Sequence, residues 1–217
     1  MNSSSWIAAV ISLIGVSVFF LLFQQKNYSP RQGKRQRRIA LLFKGMATMF
    51  AVALAAYGAI LSPTAGNILL TAGLFVCMAA DVLLGIRLLW GVAAFGVGHI
   101  FYCAACIFSA PPGFMNLAVY VLLFALCLLL LYPKIKNGAG DKPVFPFVAY
   151  GAVLFLMLSL AINQRPVLLA GAVFFVISDC MLAFRLFMNN RSVPFDYICL
   201  GCYYLGQFLI GFSTLVS

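Results

Sequence analysis

The chain has 217 residues, of which 65% are hydrophobic and 8% charged, with a net charge of +10. A soluble domain of this size has no means of burying so much apolar surface, and apolar runs of roughly 18 residues or more recur along it, which marks a polytopic helical membrane protein. The positive charge does not indicate nucleic acid, because the cations fall in short loops between apolar runs, where the positive-inside rule accounts for them.

Eight transmembrane helices are expected, at roughly 5–23, 39–61, 67–86, 90–109, 114–132, 144–162, 166–186 and 195–215, in one integral membrane domain spanning 1–217. The first run lacks a basic leader and an Ala-x-Ala-like exit, so it reads as a span rather than a cleaved signal. Turn chemistry breaks the chain at Ser62-Pro63-Thr64-Ala65-Gly66, Pro111-Pro112-Gly113, Asn137-Gly138-Ala139-Gly140 and Arg165-Pro166. The first loop is expected to hold Lys26, Arg31, Lys34, Arg35, Arg37 and Arg38. Alternate loops add Arg87, then Lys134, Lys136 and Lys142, then Arg185 and Arg191. Every cation except Lys44, which lies inside the second span, and Arg165 therefore falls on one side. That predicts both termini away from the cytoplasm; the membrane expected is a bacterial inner (plasma) membrane.

The only acidic residues are Asp81, Asp141, Asp179 and Asp196. Asp141 and Asp196 are placed in or next to loops, whereas Asp81 and Asp179 lie within apolar segments, where an ionisable group reads as functional by default. Their surroundings repeat: Gly73-x7-Asp81-x-x-Leu84-x-x-Arg87 matches Gly171-x7-Asp179-x-x-Leu182-x-x-Arg185. Each is followed by a span with polar aromatics, His99 and Tyr102 after the first, Tyr203, Tyr204 and Gln207 after the second. Four spans separate the copies, so a parallel four-plus-four repeat is expected, with halves at about 5–109 and 114–217.

Each carboxylate stands about 9 Å inside the boundary marked by its following Arg. Lys44 enters at a similar depth from the same side, and His99, Tyr203 and Tyr204 lie nearer the midplane. These groups are expected to converge on a pocket open toward the cytoplasmic leaflet. Two carboxyls in a low-dielectric pocket do not both ionise freely, so such a pair supplies a proton donor and a carboxylate together. Each residue also has a structural reading: a buried Asp bonded to Lys44 or backbone, a packing His99, a snorkelling Lys44, packing tyrosines. Gly73, Cys77, Ala80 and Leu84 share a face of the third span near Asp81, and the small residues Gly91, Ala94, Gly98 and Ala105 line a seam of the fourth. Cys103/Cys106 and Cys199/Cys202 have C-x-x-C spacing, read as helix packing rather than a redox pair. A single histidine argues against a multi-His zinc site. With no P-loop and no dinucleotide fingerprint, neither metal nor cofactor is expected.

The run Gly171-Ala172-x-x-Phe175-x-x-Ser178-Asp179-x-x-Leu182-Ala183 resembles the YhhN-like lysoplasmalogenase family of multi-pass membrane proteins. So do Tyr203-Tyr204-Leu205-Gly206-Gln207-x-Leu209-Ile210, Gly73-Leu74 with Asp81, Gly98-His99-x-x-Tyr102 and Lys44. Ala80 and Gly206 depart from the family's usual Gly and Ala, small for small. The resemblance implies hydrolysis of the vinyl ether bond of lysoplasmalogens to a fatty aldehyde and glycerophosphoethanolamine or glycerophosphocholine. Asp81 and Asp179 would be catalytic, either one the acid. Lys44, His99, Tyr102, Ser178, Tyr203, Tyr204 and Gln207 would bind substrate. The partners implied are the lysophospholipid and membrane lipids. The competing reading is a lipid or small-solute transporter, which shares parallel repeats and midplane polar residues. No span is broken by Gly or Pro near its middle, which counts against it.

Overall fold

The computed structural model describes residues 2–28, 33–138, 140, 144–188 and 192–216. Arg31, Asp141, Lys142, Arg191 and Ala139, assigned above to loops and turns, lie outside them. The described residues form eight α-helices: α1 (Ser3–Asn27), α2 (Lys34–Leu61), α3 (Ala65–Ile86), α4 (Leu88–Ser109), α5 (Phe114–Gly138), α6 (Phe145–Ala161), α7 (Pro166–Met188) and α8 (Val193–Ser213). All but α6 are long and apolar enough to cross a membrane; α6 has only 17 residues. The turn chemistry acts as expected at the starts of α3 and α7, whereas Asn137 and Gly138 lie inside α5. The Thr64 hydroxyl caps α3 by accepting from the Asn67 N–H at 3.2 Å, and Pro166 opens α7, where a missing N–H costs nothing.

Three boundaries differ from the hydropathy reading. Helix α1 runs on to Asn27, so Lys26 lies in its last turn rather than in the first loop. Helix α2 starts at Lys34, so Arg35, Arg37 and Arg38 stand on its first turns rather than in a loop. Long basic side chains reach water from a helix end without the backbone having to leave the helix. Helix α5 continues through Pro133 to Gly138, carrying Lys134, Lys136 and Asn137 with it. A proline in an apolar helix is tolerated where local adjustment satisfies the freed backbone carbonyl.

Helices α2, α3, α4, α6, α7 and α8 close into a ring through the contacts α2–α3, α3–α4, α4–α6, α6–α7, α7–α8 and α8–α2. Helix α1 lies outside it against α2 and α8, and α5 lies outside it against α6 and α7. The ring interior is built from small and aromatic residues, including Ala47, Ala51, Ala55, Leu74, Cys77, Ala172 and Phe175, all fully buried. Trp6, Ile7, Leu122 and Leu129 are among the large apolar side chains left on the outside, as a hydrocarbon solvent requires. Trp6 packs against Phe212 at 6.0 Å, so the start of α1 and the end of α8 share one end of the bundle. The basic run of α2, Arg185 and Asp196 share the other.

The Gly73 face of α3 and the small-residue seam of α4 face each other. A Cβ on Gly98 would stand 2.6 Å from the Cys77 Sγ and 3.2 Å from the Gly73 carbonyl oxygen. Only Arg87 separates α3 from α4, in extended conformation, so the turn-back is tight and Gly91 lies on the Leu84 backbone. A Cβ on Gly91 would come 2.4 Å from the Leu84 Cα. Gly91→Ala therefore has to splay the α3–α4 hairpin, an overpacking cost of about 1–3 kcal/mol. A lower midpoint in a thermal melt followed with a thiol-reactive dye would register it, since Cys77, Cys103, Cys106 and Cys199 are buried free thiols. An unchanged midpoint would mean that the hairpin is looser than drawn.

Candidate active site

Lys44 on α2, Asp81 and Leu84 on α3, Phe95 on α4, Ser178 and Asp179 on α7, and Cys199 and Tyr203 on α8 line one cavity of about 150 Å³ inside the ring. The two carboxylates expected to converge thus border a single space. Lys44 lies ten residues into α2, counting from Lys34, and is 8% exposed, so its ammonium ends within the bundle rather than in a loop.

The two acids have unlike surroundings. Asp81 is fully buried and gathers donors on both oxygens. Its Oδ1 pairs with the Lys44 ammonium at 3.1 Å. Its Oδ2 accepts from the Thr48 hydroxyl at 2.5 Å and from the Tyr203 phenol at 2.8 Å. Tyr203 in turn accepts from the Gln207 amide at 2.9 Å, and the Gln207 carbonyl accepts from Tyr102 at 3.3 Å. A line of buried polar groups therefore runs from α4 through α8 to one face of Asp81. Asp179 is only half-buried and accepts a short hydrogen bond from the Tyr150 phenol of α6. Lys44 and Asp81 line the same cavity.

Toward the basic end the cavity widens into a vestibule of about 780 Å³, lined by Arg37, Lys44, Arg185 and Asp196 together with Asn27, Tyr28 and Leu182. Arg37 donates to the Gly85 carbonyl at 2.7 Å, which satisfies an orphan acceptor at the end of α3 and fixes the guanidinium at the rim. Asp196 is placed by the sequence reading in or next to a loop. It stands in the first turn of α8, is 3% exposed, and pairs with Arg185 at 2.9 Å. A carboxylate is favoured there by the helix N-terminus and by that guanidinium. Tyr28, just past α1, donates a short hydrogen bond to Asp196; burial first, then this carboxylate, pushes its phenol above the ordinary tyrosine range.

Of the candidate binding residues, Lys44, Ser178 and Tyr203 line the cavity, and His99, Tyr102, Tyr204 and Gln207 stand behind it. His99 Nδ1 donates to the Phe95 carbonyl at 2.7 Å, and among the described residues Nε2 has no hydrogen-bond partner, the ring packing against those of Phe175, Tyr102 and Tyr150. Tyr204 donates to the Lys44 carbonyl at 3.3 Å and so steadies the helix that carries the lysine.

The YhhN family model matches residues 39–214. The chain belongs to the YhhN family. It is 31% identical over 166 residues to Lysoplasmalogenase TMEM86B of Homo sapiens, covering 73% of this chain and 69% of that protein. Against Lysoplasmalogenase TMEM86B of Mus musculus it is 31% identical over 159 residues, 71% of this chain and 67% of that protein. No solved structure matches.

Within this YhhN-family bundle, the sequence reading misses two polar partners of the acids, Thr48 and Tyr150, and the place of Asp196 in the vestibule wall. Thr48 follows Lys44 by one helical turn, so the i, i+4 face that carries the lysine would have pointed to it. Tyr150 is a polar aromatic within an apolar helix, the feature used to single out Tyr203 and Tyr204. Asp196 is hidden by its position at a helix start beside residues that read as a loop.

Proposed function

We propose that this protein hydrolyses the vinyl ether bond of lysoplasmalogen, releasing a fatty aldehyde and a glycerophosphoethanolamine or glycerophosphocholine, with Asp179 as proton donor and Asp81 as the fixed anion. The observation that carries this reading is the unequal dressing of two carboxyls on one cavity. Asp81 has an ammonium and two hydroxyl donors, partners that stabilise a carboxylate. Among the described residues Asp179 has one phenol partner and no bonded cation, an environment that suits a proton donor facing the cavity. The lysoplasmalogenase relatives supply the substrate class.

The chemistry follows from those roles. Asp179 gives its proton to the outer alkene carbon, the alkene electron pair forms the new C–H bond, and the ether oxygen shares a lone pair to make an oxocarbenium ion. Asp81 lies close enough to stabilise that cation electrostatically. Water adds to the cationic carbon and returns a proton to Asp179. The hemiacetal then collapses: its C–O bond to glycerol breaks, and its hydroxyl proton ends on the departing glycerol oxygen. No metal or covalent intermediate is needed. The phosphate end belongs in the vestibule near Arg37, Lys44 and Arg185, and this basic end belongs on the cytoplasmic side.

The two halves are, on this reading, equivalent units. Helix contacts α2–α3, α3–α4 and α8–α2 have counterparts in α6–α7, α7–α8 and α4–α6. Gly73 meets the Gly98 carbonyl, with a built Cβ at 3.0 Å, much as Gly171 meets that of Gly206 at 3.1 Å.

The deciding experiment offers lysoplasmalogen in D2O to the purified protein and traps the aldehyde at once. The expected product carries a single deuterium on the carbon next to the carbonyl. Substrate movement into vesicles without aldehyde would overturn the proposal in favour of transport.

A further inference from the structure

Asp179 also borders a second, smaller space of about 80 Å³ between α4, α5, α6 and α7. Leu154 and Phe155 form its buried floor, and Phe147, Gly151 and Ala183 its half-buried rims. Apart from the Asp179 carboxyl and the Tyr150 phenol, its lining is apolar. The polar inner cavity and this groove have only Asp179 and Leu182 in common. The carboxyl therefore stands at the boundary between a charged compartment and an apolar one. The outer wall is α5, which among the described residues packs against α6 and α7 and presents Leu122, Leu126, Leu129 and Leu130 to the outside.

We propose that this groove holds the first carbons of the substrate's alkenyl chain, the remainder running out along α5 and α6 into the bilayer. The proposal rests on the lysoplasmalogen reading and deepens it. In such a lipid the vinyl ether is the joint between headgroup and tail. A site whose reactive group separates a polar compartment from an apolar groove meets that joint when each part lies in its matching space. The tail is already in hydrocarbon before it binds, so the groove adds little hydrophobic driving force. What it adds is register: it fixes the outer alkene carbon against Asp179, and misplacement by about 1 Å can cost roughly 100-fold in rate. Tyr150 forms part of the groove wall and holds one oxygen of Asp179, which makes it a positioning residue between tail and acid.

Gly151 makes the groove testable. A Cβ there would meet only Phe124 Cε2, at 4.0 Å, so the backbone accepts a side chain and a leucine extends into the groove. Gly151→Leu is compared with Gly201→Leu, a position outside both spaces where a Cβ meets nothing within 4 Å. The readout is the ratio of kcat/KM for a long-chain alkenyl lysolipid over its propenyl-ether analogue. That ratio is expected to fall at least about tenfold in Gly151→Leu, through lost register, and to hold in Gly201→Leu. A ratio unchanged in both would overturn the proposal.

A second measurement needs neither turnover nor a mutant. A non-hydrolysable 1-alkyl lysophospholipid with a diazirine near its ether is photolysed with the wild-type protein in vesicles, and labelled peptides are mapped. Label on α5, α6 and α7 around Cys127, Tyr150 and Cys180 is expected. Label confined to α1, α2 or α8 would overturn the groove even if aldehyde is produced. Label in the groove without aldehyde production would keep the chain site and sink the hydrolase reading instead.

Discussion

Asp179→Asn is expected to lower kcat for aldehyde release by about 10³-fold while leaving the protein folded, because the change removes the acid and little else. Asparagine has nearly the same shape and still accepts the Tyr150 hydroxyl through its amide oxygen. No buried cation loses its partner, since the Lys44 ammonium pairs with Asp81. What the amide lacks is a proton acidic enough to transfer to carbon, the step with the highest barrier in vinyl ether cleavage. The loss should appear in kcat more than in KM, because the tail and phosphate contacts remain. The check is aldehyde production measured alongside a thermal melt. A variant with a wild-type melt and a near wild-type rate would remove Asp179 from the chemistry. In wild type, a slower rate in D2O accompanies the deuterium incorporation, since the transferred proton comes from an exchangeable carboxyl.

The sequence reveals these acids because a carboxylate in a run such as Phe174-Phe175-Val176-Ile177-Ser178-Asp179 is costly and stands out. It reveals the helices because hydropathy alone decides what crosses a bilayer, and it misjudges ends where charge sits on a helix, as at Arg37 and Lys134. It also gives depth, through the spacing from Asp81 to Arg87 and from Asp179 to Arg185. Depth is height along the membrane normal and says nothing about angle around the helix axis. His99 illustrates the gap: it is placed near the midplane beside the acids, yet its ring lies behind Phe95 and Phe175 rather than on the cavity. Tyr150 shows the converse. Its bond to Asp179 joins α6 to α7 across a turn and depends on how those helices rotate against each other, which no periodicity in either segment encodes. Asp196 needed the knowledge that Arg185, at the end of α7, folds back onto the first turn of α8.

Lys44→Met is the second substitution with a large expected effect, and its value lies in the comparison with Asp81→Asn. Removing the ammonium leaves a fully buried carboxylate with only two hydroxyl donors. Breaking a buried pair from one side in this way costs about 3–5 kcal/mol. Asp81→Asn should cost less, because the freed Lys44 lies on the wall of the vestibule and can turn its long side chain toward water. The double variant Lys44→Met/Asp81→Asn leaves no unpaired charge. It is expected to melt well above Lys44→Met alone, a coupling of about 0.5–3 kcal/mol. Its activity should stay lost, because the oxocarbenium ion then lacks the fixed anion and has beside it only the Asp179 carboxylate left by the proton transfer, a deficit of about 10²–10³ in kcat. Melting curves and aldehyde assays on the three variants separate what the pair does for stability from what Asp81 does for the reaction. A double variant no more stable than Lys44→Met would show that the pair is not an energetic unit. A double variant that turns over like wild type would show that the reaction does not use the charge on Asp81, and the cation would then have to be stabilised by Asp179 after it has given up its proton.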